Sequence, residues 1–201
     1  MPLLPLFPLD LVLFPGTPLP LHIFEPRYKE MIAECLANRA PFGVVRVLEQ
    51  GIAETGCTAE IVSVTKKYPD GRLDLVAEGR SRFEVLEVNQ ERSFLRAEVM
   101  QIPDEPGAPA EEDAARATAL HREILTLAGA APDLPDVKQG MLSYQLAGSL
   151  PLDLNFKQEL LATRSENQRM RALAAHLESI LPALRRAARA REKAGGNGHV
   201  R

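Results

Sequence analysis

The sequence has no uninterrupted apolar run. Its most hydrophobic stretch, residues 4–28, carries Pro5, Pro8, Pro15, Pro18 and Pro20. Each proline removes a backbone donor and pushes the preceding residue toward extended geometry, which excludes a spanning helix of about 20 apolar residues. No Lys or Arg precedes Arg27, so the basic start of an export signal is missing. Cysteine is scarce: Cys35 and Cys57 have neither a second cysteine pair nor a nearby histidine, and this excludes a zinc site and a disulfide framework. Reduced thiols and a cytoplasmic, membrane-free protein are expected. Aromatic residues are only 5% of the chain and the formal net charge is −3. No basic and aromatic residues interleave as a nucleic-acid stacking surface requires, so nucleic acid is the less favoured partner. His22, His121, His176 and His199 are scattered. Only His22 has a neighbour of ligand type, Glu25, and a surface histidine beside a turn is the better account. No metal and no cofactor is expected.

What is present is an ordinary globular composition, 45% hydrophobic and 25% charged over 201 residues, enough for one large domain or two small ones. In the opening stretch, Leu11 and Leu13 and then Leu19, Leu21 and Ile23 alternate at strand spacing, while Pro15-Gly16 reverses the chain. The pattern predicts two short, proline-protected strands. A helix begins at "EPRYKE", with Pro26 in its first turn and Asn38 as its stop. Strands are predicted over 42–48, 58–66, 73–78, 82–88 and 94–100, with "YPDGR" as a hairpin turn. After the proline-rich "IPDEPGAPAEED" the period becomes helical. One stripe runs from Ala117 to Ala128 and stops at Gly129. A second, Val137, Met141, Tyr144 and Ala147, stops at Gly148. A short helix is predicted over 156–162. A last one opens on the capping spacing of Ser165 and Gln168 and carries Met170, Leu173, Leu177, Ile180 and Leu184. Pro182 is expected to kink or end it, and the chain beyond Arg185 to fray.

Several segments imitate catalytic motifs. "GIAETGCT" has P-loop glycine spacing, but Cys57 stands at the lysine position and a strand follows where a helix N-terminus must face the phosphates. "SVTK" matches the Ser-x-x-Lys of acyl-transfer enzymes, yet on a strand Ser63 and Lys66 are expected to point to opposite faces. Glu111, Glu112 and Asp113 read as a favourable helix start rather than a metal site. Arg185, Arg186, Arg189, Arg191 and Lys193 read as a basic helix end that complements the dipole and aids solubility, in preference to a nucleic-acid contact.

The stretch "LPLFPLDLVLFPGTPLPLHIFEPRY" resembles the start of the N-terminal, substrate-binding domain of Lon proteases, through Pro5, Leu6, Phe14, Pro15, Gly16, Pro20, Leu21, Glu25, Arg27 and Tyr28. "GCTAEIVSVTKKYPDGRLDLVAEGRSRFEV" is similar to the hairpin and Gly-x-x-Arg-Phe strand that follow there, here Gly79, Arg82 and Phe83. "LPLDLNFKQELLAT" is similar to its helical portion. The resemblance spans about residues 3–184. It implies an α+β fold, a PUA-like small β-barrel or pseudobarrel with one helix followed by an α-helical bundle; with the change of periodicity, the expected division is the β-domain over 1–104, a linker over 105–111, the bundle over 112–186 and a flexible basic tail over 187–201. The ATPase and Ser-Lys peptidase modules of the full protease have no counterpart in this sequence.

The expected function is therefore non-enzymatic: a bacterial-type, stand-alone module that holds unfolded or client protein segments, as an adaptor that delivers them to a protease or chaperone machine. The alternative is an RNA-binding PUA-like protein. The expected recognition site is the corner between the second strand and the first helix. There Phe24, Glu25, Arg27 and Tyr28 present aromatic and charged groups together, beside a strand edge with free backbone donors and acceptors. The competing account makes Phe24 and Tyr28 core anchors and Glu25 and Arg27 a local structural pair.

Overall fold

In a computed structural model, the structure describes residues 3–131 and 141–196. Its described elements are β1 (Leu4–Leu9), β2 (Pro18–Ile23), α1 (Pro26–Asn38), β3 (Phe42–Leu48), β4 (Gly51–Ile52), β5 (Thr55–Lys67), β6 (Leu73–Asn89), β7 (Arg96–Gln101), α2 (Glu111–Leu127), α3 (Leu142–Gly148), α4 (Leu154–Ala162) and α5 (Glu166–Gly196). The architecture is mixed, with a seven-stranded sheet and helices both between and after the strands.

Contacts divide the chain into two units. The first comprises Met1–Asp104 and Ala147–Arg164, the second Glu105–Leu146 and Ser165–Arg201. This differs from the linear division expected from periodicity, because the segment carrying α4 groups with the strands. Polar side chains tie it there. Gln158 donates to the Thr55 carbonyl at 2.9 Å, and Arg46 donates to Asn155 at 2.8 Å. Arg82, almost wholly buried, donates to the carbonyls of Leu161 and Thr163 at the end of α4, at 2.9 and 3.0 Å, and pairs with Asp104.

Within the first unit the strand pairings close a circuit. β1 pairs with β7, β7 with β6, β6 with β5, β5 with β3, and β3 in parallel with β1. The parallel pair needs a crossover, which the β2–α1 segment supplies. At the centre lie Leu6, Val45, Phe83 and Ala97. The Phe83 ring occupies space left by two glycines: a Cβ on Gly56 would stand 2.5 Å from its Cζ, and one on Gly43 2.7 Å.

Three expectations for this unit change. The first strand is β1, before Leu11 and Leu13, and it contains two prolines. The Leu6 N–H donates to Leu95 on the β7 side. By alternation, Pro8 would donate on that side too, beyond the last β7 partner, and Pro5 on the β3 side, before that pairing starts at Leu6. Neither proline breaks a ladder bond. Second, the strands predicted over 73–78 and 82–88 are one strand, β6, with Gly79 buried inside it. Third, the edge of β2 is poor in donors. Thr17 accepts from Gly79 N–H at 3.0 Å, so by alternation Pro18, Pro20 and His22 turn their backbones outward, and only His22 has an N–H to offer.

The second unit contains α2, α3 up to Leu146, and α5. Glu111, Glu112 and Asp113 form the first turn of α2. Arg171 donates to Asp113 and Arg185 to Glu123, each at 2.7 Å, and Arg116 grips Glu178. The order of these pairs shows that α2 and α5 run in the same direction. Met170, Leu173, Ala174, Leu177 and Leu181 form the buried stripe of α5. Pro182 lies inside the helix and does not end it: its ring is exposed and α5 continues to Gly196. The tail expected to fray from Arg185 is thus helical up to that point. Glu166 accepts from the Ser143 N–H at 3.0 Å and its hydroxyl at 2.6 Å, and pairs with Arg169 at 2.6 Å. This buried cluster satisfies the start of α3, since a buried carboxylate requires such partners. Val137, read as part of that helix, lies outside the described residues, as do His199 and the end of the tail.

Candidate functional site

The sequence-predicted corner is built by the alternation of β2. Leu19 and Ile23 are buried on one face, whereas Pro18, Pro20 and His22 lie exposed on the other, and Phe24 follows just beyond the strand. Phe24 is 58% exposed. Its ring stacks on His22, with centroids 5.9 Å apart.

His22 is itself held. Its Nδ1 lies 2.5 Å from Oδ1 of Asp74, the residue opposite it on β6, and Tyr68 donates to the other Asp74 oxygen at 2.8 Å. The hydrogen bond with His22, followed by that from Tyr68, keeps the Asp74 carboxyl below the usual carboxylate range. The Tyr68 ring meets His22 edge-on at 5.9 Å. Lys66, opposite Asp74 on β5, and Arg72 stand over the Tyr68 ring at 4.6 and 4.8 Å. The β5–β6 turn that brings these groups together is closed by Gly71, at φ 80°. His22, Asp74, Tyr68 and Phe24 therefore form one aromatic and polar surface, with His22 and Phe24 exposed and Asp74 and Tyr68 half-buried. Sequence reading set His22 aside and missed Asp74 and Tyr68. The signal lay in the pairing of β2 with β6, which no local pattern contains.

The remaining predicted residues divide differently. Glu25 precedes α1 and accepts from Arg27 at 2.8 Å. Both are partly exposed, so the pair contributes at most a few tenths of a kcal/mol. The Arg27 guanidinium also stands 4.6 Å over the Tyr28 ring. Tyr28 faces inward, 7% exposed, and packs on Phe7 with centroids 4.1 Å apart. Burial, more than its charged neighbours, pushes the Tyr28 hydroxyl pKa up. The structure thus brings Phe24 together with His22 and gives Tyr28 a packing environment.

The catalytic imitations are also placed. Gly51–Thr58 spans β4 and the start of β5, with no helix after it. Burial pushes the Cys57 thiol up to about 12, so it is not a thiolate at neutral pH. Ser63 and Lys66 do not diverge as expected: a bulge sets them opposite Val76 and Asp74, two residues apart on β6 and hence on one face. They still form no dyad, because Lys66 Nζ rests on the Tyr68 ring and no hydrogen bond joins it to Ser63 among the described residues. No group of three or more His, Cys, Asp or Glu suited to a metal occurs among the described residues. No described helix is long and apolar enough to cross a membrane. A separate groove of about 430 Å³ is lined by Thr55, Glu84, Met100, Ile102, Pro103 and Arg164.

Comparison with known proteins gives this surface its context. A crystal structure of a Lon N-terminal domain protein from Xanthomonas campestris is similar over 87% of this chain and 98% of that one, with a TM-score of 0.71 and 30% identity. The N-terminal domain of a Mycobacterium avium complex Lon protease shares the fold at 19% identity, with a TM-score of 0.63, over 88% of this chain and 98% of that one. Lon protease 1 of Herpetosiphon aurantiacus is 30% identical over 83% of this chain but only 21% of its own length. The Lon protease of Parabacteroides distasonis is 32% identical over 50% of this chain and 13% of its own length. The chain thus spans about a fifth or less of these two relatives. With residues 3–179 matched by the model of the ATP-dependent protease La (LON) substrate-binding domain, the chain belongs to that family.

Proposed function

We propose that this chain is a non-enzymatic binding module that engages exposed or unfolded segments of client proteins, as an adaptor for a protease or chaperone machine. The observation that carries this reading is Phe24: a large apolar ring, 58% exposed, held in place by stacking on a histidine that Asp74 fixes. A solvated aromatic on a preorganised support provides an anchor for an apolar side chain with little ordering cost. The donor-poor edge of β2 argues against main-chain strand addition there, so recognition proceeds through side chains. Glu25 and Arg27 flank the anchor, and Tyr28 anchors the start of α1 by packing on Phe7. The closed circuit of strand pairings supports a PUA-like pseudobarrel as the scaffold, with the second unit as the helical bundle.

The test is binding of a permanently unfolded, carboxymethylated model protein by the full chain. Phe24→Ala should weaken binding about tenfold or more while shifting stability by less than about 0.5 kcal/mol. Arg27→Glu should weaken it less. Unchanged binding in Phe24→Ala sinks this site. Turnover of ATP or casein that disappears in Ser63→Ala or Lys66→Ala overturns the non-enzymatic reading.

A further inference from the structure

Glu84 sits in the middle of a row that crosses three strands, opposite Thr55 of β5 on one side and Met100 of β7 on the other. Residues directly opposite one another point to one face of a sheet. That face lines the groove of about 430 Å³, together with Ile102 and Pro103 after β7 and Arg164 just beyond α4. Glu84 is half-buried, yet its carboxylate forms no hydrogen bond or ion pair with a described residue. The two cations in reach are committed elsewhere. Arg82, two residues along β6 on the same face, donates to the Leu161 and Thr163 carbonyls and pairs with Asp104. Arg164 donates from Nε to the Pro103 carbonyl at 3.2 Å, and no ion pair joins it to Glu84. A charge drawn partly out of water without a partner is unfavourable, so this groove favours an occupant that supplies the missing cation.

We propose that the groove takes a lysine or arginine side chain of a client segment, with its cationic head on Glu84 and its stem along Met100, Ile102 and Pro103. This rests on the client-binding reading above and adds a basic residue to what is recognised, at a surface separate from Phe24. The lining selects such an occupant. Long basic side chains bury their methylene stems on apolar surface while the head keeps a polar partner. Met100 is 51% exposed, and an unbranched thioether repacks readily around stems of either shape. The volume suits a side chain and its flanking backbone. A bare divalent ion would find one carboxylate where it needs six or more oxygens. Arg164 limits the groove to a single cation, because a second would meet like charge.

The test is the Kd of the full chain for carboxymethylated, permanently unfolded α-lactalbumin with its lysines either free or acetylated. The parent chain should bind the free-lysine form about fivefold more tightly, as one half-exposed charge contact implies. Glu84→Gln should bring that ratio to about 1, and Glu84→Lys should invert it. Phe24→Ala should weaken binding of both forms and keep the ratio. Glu49→Gln, the same loss of charge at an exposed position between β3 and β4, should keep it too. A ratio of 1 in the parent, a fivefold ratio that survives Glu84→Gln, or an equal loss in Glu49→Gln overturns the groove site and leaves the client-binding reading standing. No binding of either form by the parent overturns both. Glu84-dependent binding of spermidine, with no preference between the two protein forms, assigns the groove to a small polyamine and overturns the proposal as well.

Discussion

Gly79 lies so close to Phe14 that a Cβ on Gly79 would stand 2.1 Å from the Phe14 carbonyl oxygen. Two backbone hydrogen bonds lock the contact: Gly79 N–H to Thr17 at 3.0 Å, and Gly16 N–H to Gly79 at 2.8 Å. The turn after β1 and the centre of β6 are thus one joint. Gly79→Ala pushes a methyl into backbone that cannot yield, and it should destabilise the protein by about 3 kcal/mol in chemical denaturation. A loss under about 1 kcal/mol refutes the close approach.

The same joint shows what the sequence made legible. Phe14-Pro15-Gly16 was readable as a turn, and β3 and α1 as elements with the observed bounds, because local rules govern them. Periodicity left Gly79 in the gap between two predicted strands, since a glycine that admits another backbone interrupts the side-chain pattern just as one that turns the chain does. The corner was readable for a related reason. Strand alternation locates Phe24 beside His22, but Asp74 and Tyr68 reach it only through the β2–β6 pairing, which spans 52 residues from His22 to Asp74.

Arg82 is the clasp between β6 and the end of α4, with two carbonyls and one carboxylate on its guanidinium. Arg82→Met keeps most of the volume but leaves those acceptors without their donor, at a cost of about 2–3 kcal/mol. Hydrogen exchange should show the loss first in α4, with the amides of Glu159–Leu161 exchanging faster than those of β3. Uniform acceleration across the first unit would contradict a local clasp.

Both thiols are sealed. Burial lifts Cys35 to about 11 and Cys57 to about 12, and the thiolate is the reactive form. At pH 8 the native chain should resist iodoacetamide at both positions, and in guanidinium both should react at ordinary rates. Rapid native labelling of Cys57 would mean that the β5–β6 core opens far more readily than its packing implies.

The Asp74–His22 contact makes the Phe24 support sensitive to acid. Hydrogen bonds from His22 and Tyr68 hold the folded carboxyl below its ordinary value. A depressed carboxylate pKa gives stability that is fully present above the unfolded value, about 3.9, and is lost as the pH falls through the folded one. Asp74→Asn should therefore lower the thermal midpoint at pH 7, and its gap from the parent chain should close as the pH is taken from 5 to 3. Because Asp74 also fixes His22, the same variant should weaken binding of the unfolded model protein at pH 7, where the fold is intact. A midpoint gap that stays constant from pH 7 to 3 would mean that the carboxylate charge contributes nothing, and that Asp74 serves only as a spacer between Tyr68 and His22.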